Sequence, residues 1–383
     1  MQTEFFPRLK PTLSLITRTD GLIYVGDLSE GFELDPIPFL PLLRRCTGRS
    51  SIREIATLLH QPLELIARAI EECVDLGIIE QLPFAIWPQS SMSTFGEETG
   101  SLSQERTLIE LSLATHRASD GGLDEWRRRS EFKVGITGDT RITRNLLSLI
   151  CASGFRETFL DIDPHTTPHI VAKDFNGLSV TLDDLGKNKS IHHKDLIRRN
   201  KFTHSSSQRS NPFNISNSSN SSYMPERADL IIATSPPSSD AIARWQSEGI
   251  RHIALTLPTK TDIEISPLIT PGITPCLQCI ALHRRDALPP DLAPLAYMPF
   301  SDLAFTDHTR RSELPAPSAA LIASLLTTFT IDICRGAFGA TVDQPHLSQV
   351  INLLAPTLPV QYRRWNFHPE CGCVDVQRRA LRR

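Results

Sequence analysis

The chain has no excess of basic residues. Its 383 residues carry 40 Lys and Arg against 43 Asp and Glu, a net charge of −3. No overall positive field draws it to nucleic acid. Residues 1–90 are more acidic still, with eight Lys and Arg against twelve Asp and Glu. That balance disfavours a DNA-binding module, which must displace counterions from phosphates. Long hydrophobic runs are also lacking. The longest uncharged helical stretch, Ala316 to Ile331, is too short to span a bilayer and is followed by Asp332 and Arg335. The opening Met1-Gln-Thr-Glu-Phe-Phe6 has no basic segment leading into an apolar one, so no secretory signal is read there. The expectation is a soluble cytoplasmic protein with neither nucleic acid nor membrane as a partner.

Cysteine is present, and its spacing is informative. Cys276-Leu-Gln-Cys279 lies mid-chain and Cys371-Gly-Cys373 near the end. Two such doublets can complete a tetrahedral four-sulfur shell around one Zn²⁺, a closed structural site with no open position for catalysis. The alternative is four ordinary buried thiols. His283 and His368 flank the doublets as outer partners, and Trp365 and Phe367 are expected to pack around them. Cys46, Cys73, Cys151 and Cys334 stand alone in apolar surroundings and read as core residues.

Periodicity divides the chain in three. Residues 1–85 hold strand-like Leu22–Val25 and Phe32–Leu34, then three helical stretches: Pro36 to Cys46, Ser51 to His60, and one opened by Pro62. They predict a small winged-helix-like α+β domain. Residues 86–130 read as a linker with a helix over Arg106 to Ala118. Residues 131–383 alternate strands and helices, beginning with strand Phe132–Gly138, helix Thr143–Ser153 and strand Thr158–Ile162. This α/β pattern predicts a Rossmann-like, mainly parallel sheet with helices on both faces and a zinc-stapled C-terminal part. Residues 186–227 interrupt it, and their Ser/Asn-rich part, Ser205 to Ser222, cannot bury enough apolar surface to order itself. They read as a disordered insertion with His192 and His193 as solvated loop residues.

The turn after the first strand of this part is short of glycine. A phosphate-cradling loop needs glycine at its first, third and sixth positions. Here Gly138 survives, but Thr140 and Thr143 fill the other two, and Asp139 adds negative charge. Asp161 and Asp163 end the next strand, where an acid either bonds a ribose or is simply solvated. Gly138, Thr140, Asp161 and Asp163 therefore read as a vestigial nucleotide site.

Phe132–Gly138, Phe159-Leu-Asp-Ile-Asp163, Asp229–Ser235, Pro275-Cys-Leu-Gln-Cys279 and Cys371-Gly-Cys373 together resemble the ThiF/MoeB superfamily over roughly residues 130–375. The resemblance implies a structural zinc on the four cysteines and an ancestry in ATP- and Mg²⁺-dependent adenylation of a peptide carboxylate. The chain departs from the family at the chemistry. Ser235 stands where the family has an Asp, and Pro164-His-Thr-Thr-Pro168 replaces its Ser-Asn-Leu-x-Arg-Gln run. A catalytically silent relative, without ATP or Mg²⁺ as cofactor, is expected.

Residues 14–80 resemble the PqqD-like peptide-recognition domain. Such a module before a degenerate ThiF-like domain resembles the leader-binding partners of azole-forming cyclodehydratases. That implies a precursor leader peptide and a separate YcaO-type enzyme as partners, and a possible homodimer. An added peptide strand beside Phe32 and Leu34 would lay side chains on Ile66, Ile70 and Cys73, unless those three face the domain core. An active adenylyltransferase and a winged-helix DNA-binding regulator are the competing readings.

Overall fold

A computed structural model describes residues 5–27, 30–82, 120–155, 157–161, 168–200, 228–256, 262–291, 293, 314–336, 346–353 and 359–373. The chain divides into two compact units, with the border at Arg128/Arg129.

The first unit contains β1 (Phe6–Leu9), β2 (Ser14–Thr17), β3 (Ile23–Gly26), β4 (Gly31–Leu34), α1 (Pro36–Arg45), α2 (Ile52–Leu58), α3 (Leu63–Asp75) and β5 (Ile79–Leu82). Strands β2, β3 and β4 form an antiparallel sheet in that order, and β1 pairs antiparallel with β5. Ser51 caps α2 in a reciprocal box with Glu54, which satisfies backbone donors the first turn would otherwise orphan. On α3, Ile66, Ala69, Ile70 and Cys73 recur at helical spacing and face the core with Ile23, Val25, Leu42 and Ile55. The sequence reading missed β1, β2 and β5, which are only four residues long. The helix expected over Arg106 to Ala118 lies outside the described residues.

Helix α4 (Leu123–Glu131) leads into the second unit. There β6 (Lys133–Thr137), α5 (Arg141–Ala152) and β7 (Glu157–Asp161) make the expected strand–helix–strand unit. Next come α6 (Lys189–Asn200), β8 (Leu230–Ala233), α7 (Ser239–Ser247), β9 (Arg251–Thr256), β10 (Asp262–Ile265), α8 (Leu277–Asp286), α9 (Ala316–Arg335), β11 (Leu347–Asn352) and β12 (Val360–Arg364). The sheet order is β12-β11-β10-β9-β8-β6-β7. Strands β7, β6, β8 and β9 are parallel neighbours, and β10 to β12 continue antiparallel. Because β11 is antiparallel to β10, it runs with β9, so five of the seven strands point one way.

Alternation along β8 shows why both faces are covered. Leu230 and Ile232 join α5, α6 and α9 in one core, while Ile231 and Ala233 join α7, α8 and the four doublet cysteines in the other. Helix α9 is long and apolar enough to cross a membrane by length and composition. Its Ala319, Ile322, Ala323 and Leu326 are instead buried in the first of these cores.

The insertion reading needs correction at its start. Residues 189–200 form α6, and His192 and His193 are buried, not solvated. Leu196 and Ile197, three and four residues past His193, anchor that face in the core. The stripe escaped notice because its other members are His and Lys. The Ser/Asn-rich segment lies outside the described residues. Cys46, Cys73 and Cys151 are buried as expected, but Cys334 is only half-buried.

Candidate functional site: cysteine cluster and switch-point crevice

Cys276 is the N-cap residue of α8 and Cys279 sits in its first turn, so the helix fixes both thiols on one side. Cys371 and Cys373 follow β12, stacked against them. The Sγ–Sγ distances are 3.9 Å (Cys276–Cys279), 3.5 Å (Cys276–Cys371) and 3.4 Å (Cys279–Cys373), and all four sulfurs lie within 4.8 Å of one another. A tetrahedron of thiolates at zinc's usual bond length has edges of about 3.8 Å. The four sulfurs are thus placed to hold one metal ion, and the all-thiolate set is compatible with structural zinc. Hydrogen bonding from its neighbours, Cys276 first, and from the His368 amide at 3.4 Å, holds the Cys279 thiol well below the usual thiol range.

The flanking residues support the shell from outside it. His368 accepts at Nδ1 from the Glu370 amide (3.1 Å), so its Nε2 carries the proton donated to Asp286 (2.7 Å). His283 Nε2 donates to the Asn366 carbonyl (3.0 Å). Both nitrogens of His368 are thus engaged away from the sulfurs. Trp365 is buried, donates to Ser348 (2.9 Å), and packs with the cluster along with Phe367.

The second place of interest is the crevice at the carboxyl ends of β6 and β8. The chain leaves β6 for β7 on one side and returns to β8 on the other, and open α/β sheets bind ligands at such reversals. Gly138 sits there with φ +113°, and a Cβ on it would lie 2.5 Å from Thr234 Oγ1 and 2.6 Å from Ser235 Oγ. The backbone at Gly138 therefore packs directly on Thr234 and Ser235, just past the end of β8. Thr234 Oγ1 is locked to the Thr143 hydroxyl (2.6 Å) and donates to the Thr137 carbonyl (3.0 Å). Thr140 caps α5, and its hydroxyl accepts from the Thr143 amide (3.3 Å). The first turn of α5 thus spends a donor internally. Asp161 closes β7 opposite Thr137; its side chain, and all of Asp163, lie outside the described residues.

Sequence reading missed what fills this crevice. Asp139 is ion-paired to Arg144 and to Lys189 Nζ (2.5 Å), and Asp174 pairs with the same two cations at 3.2 and 3.5 Å. All four side chains are at most 4% exposed. Burial works to raise the Asp139 carboxyl, but Arg144 and Lys189 outweigh it and hold it below the usual carboxylate range. One signal was available: Arg144 stands on the stripe that Leu147 and Cys151 continue, where a charge demands a buried partner.

His192 and His193 line the same region from α6, their rings 6.1 Å apart. Burial, seconded by Arg144, pushes the His193 pKa down to about 3. Burial likewise pushes His252 on β9 down to about 4. Both are neutral in the fold at neutral pH, whereas the unfolded chain protonates them near pH 6.5. Above about pH 6.5 neither costs anything; below it stability falls by at most about 1.4 kcal/mol per pH unit for each group, and the fall levels off only as pH passes the folded values of about 4 and 3. Urea midpoints measured at pH 7 and pH 5 should differ in that direction, and His252→Phe should flatten the slope. An unchanged midpoint across that range would contradict the burial.

The peptide-groove residues separate. Phe32, on edge strand β4, is 38% exposed and Leu34 is half-buried. Ile66, Ile70 and Cys73 are 1%, 0% and 0% exposed. They cannot line an open groove because they form the core of the first unit.

No protein-family model and no curated protein matches the chain. Solved structures do resemble it. Microcin C7 biosynthetic enzyme MccB in complex with N-formylated MccA is 13% identical, aligning over 96% of this chain and 99% of that one with a TM-score of 0.54. MccB from E. coli with AMPCPP and MccA is 14% identical over the same shares, with a TM-score of 0.53. PaaA is 15% identical over 94% of this chain and 100% of its own, with a TM-score of 0.52. At these identities the likeness is one of fold alone.

Proposed function

We propose that this chain is a non-catalytic partner protein that captures the leader of a ribosomally made precursor peptide and presents it to a separate YcaO-type cyclodehydratase. The observation that carries the reading is the turn after β6, where Gly138 packs closely on Thr234 and Ser235 and Asp139 is tied to Lys189. A protein with the fold of a microcin biosynthetic enzyme whose phosphate turn is engaged by its own side chains keeps peptide binding as its remaining task on this reading. MccB, whose fold it shares, has been solved with the MccA peptide. In the first unit, of PqqD-like type on this reading, β4 ends its sheet with Phe32 half-open beside it. An extended leader adds there as a fourth strand, with main-chain hydrogen bonds supplying affinity and Phe32 supplying contact. Association as a homodimer belongs to the same reading. Catalytic adenylation is the competing one, favoured by MccB having been solved with AMPCPP.

Titrating the full chain with the leader of a precursor encoded beside it should give saturable binding. Phe32→Asp should weaken that binding tenfold or more, a loss of about 1.4 kcal/mol or above, with the melting temperature unchanged. ATP–pyrophosphate exchange should stay at background with the same peptide. Absence of binding to any neighbouring precursor, or exchange above background, removes the proposal.

A further inference from the structure

The four buried charges at the crevice are arranged as a filled binding site. Two cations, Arg144 and Lys189, converge on the Asp139 carboxylate at the amino end of α5, a twelve-residue helix. Helix starts favour anions, and a convergent guanidinium and ammonium at a glycine turn are what a small oxyanion requires. Arg144 also donates to the Thr140 carbonyl (3.0 Å), which pins its head group at the turn. Its Nε remains without a hydrogen-bond partner although the side chain is 0% exposed, and so do both ring nitrogens of buried His193. The guanidinium Nε–H and the one N–H of the neutral His193 ring are therefore unused donors near an anion already in place.

We infer that Asp139 is a built-in ligand: it occupies an oxyanion site formed by Arg144, Lys189 and the start of α5, and keeps free phosphate and pyrophosphate out. This deepens the closed-crevice reading above and rests on it. The charge balance explains why the site is shut. Asp139 and Asp174 match Arg144 and Lys189 one for one, so no net positive charge remains to attract a dissolved anion. The carboxylate is also tethered one residue past Gly138, and a tethered, oriented group competes at an effective concentration far above that of any millimolar solute. Taking away Asp139 alone leaves two buried cations facing one acid. A buried unpaired charge is costly, and an anion of the right size relieves it.

Asp139→Ala provides both the surplus charge and the space. Asp139→Asn provides the surplus charge while leaving the space filled. Thermal melts of the full chain with increasing inorganic pyrophosphate decide the matter. Asp139→Ala should melt below the parent and regain temperature saturably as pyrophosphate rises. Asp139→Asn should also melt low, with a much smaller gain. The parent should not respond, and adding Lys189→Ala to Asp139→Ala should abolish the response. Asp139→Ser, a smaller change in polarity, carries the same test if the alanine variant is not obtained folded. No pyrophosphate-dependent gain in either small variant, or failure of both to fold even with pyrophosphate present, overturns the inference and leaves the closed crevice standing. A saturable response of the parent itself overturns the inference and the closed crevice together.

Discussion

Purified without chelator, the protein should contain one zinc per chain, and stripping it should collapse the second unit. Four sulfurs gathered from α8 and from the segment after β12 sit close enough to hold one ion, and as thiolates they would repel one another without it. Apparent zinc-binding energies at closed cysteine sites are about 10–16 kcal/mol near neutral pH, and such energy is folding energy. That is comparable to the whole stability of a typical domain, about 5–15 kcal/mol. Cys276→Ser or Cys279→Ser should therefore yield protein that melts far lower or is recovered insoluble. Lone-cysteine variants such as Cys334→Ser should behave as the parent. Elemental analysis with a chelator titration followed by circular dichroism checks both halves. Metal-free protein with an unchanged melt would show the sulfurs to be ordinary packed thiols.

Replacing Arg144 should be the most damaging single change in the crevice. Arg144→Met keeps length and apolar bulk but leaves Asp139 and Asp174, both buried, to share Lys189. Breaking a buried ionic network from one side costs about 3–5 kcal/mol. Arg144→Lys should recover little, since a single ammonium cannot reach both carboxylates and the Thr140 carbonyl as a planar fork does. Urea denaturation measures the loss. Arg127, exposed and paired with exposed Asp124, is the control, and its replacement should leave the midpoint where it was. A midpoint for Arg144→Met as high as the parent's would mean the network contributes nothing.

These two sites differ in how far sequence alone revealed them. The cysteine cluster was legible because its ligands come in short-range pairs, and spacing within a pair is a local property. The succession from β6 through α5 to β7 was legible for the same reason, as a buried-strand run ending in glycine, then a helical stretch, then a second strand ending in acids. The crevice network was not. Asp139 and Lys189 are 50 residues apart, and nothing local says that a lysine opening a weakly apolar helix will return to a glycine turn. Helix α6 was lost because His192, His193 and Lys189 occupy positions where a helical stripe normally shows Leu or Ile. Ile66, Ile70 and Cys73 illustrate the reverse error. Their periodicity was read correctly as one face of a helix, but a pattern of spacing does not say whether that face meets the core or a guest.

The sulfur cluster joins residues about a hundred positions apart, and that has a consequence for biogenesis. Cys276 and Cys279 leave the ribosome 94 to 95 residues ahead of their partners. At ordinary elongation speeds that is an interval on the order of 10 s. Through it the nascent chain carries a half-built chelate, two neighbouring thiols open to oxidants and to any stray soft metal. Completion waits on the synthesis of residues 371–373, so a ribosome that stalls or a message that is truncated before they are made releases a chain unable to lock itself. Quality-control proteases would meet that chain with its second unit still open to them.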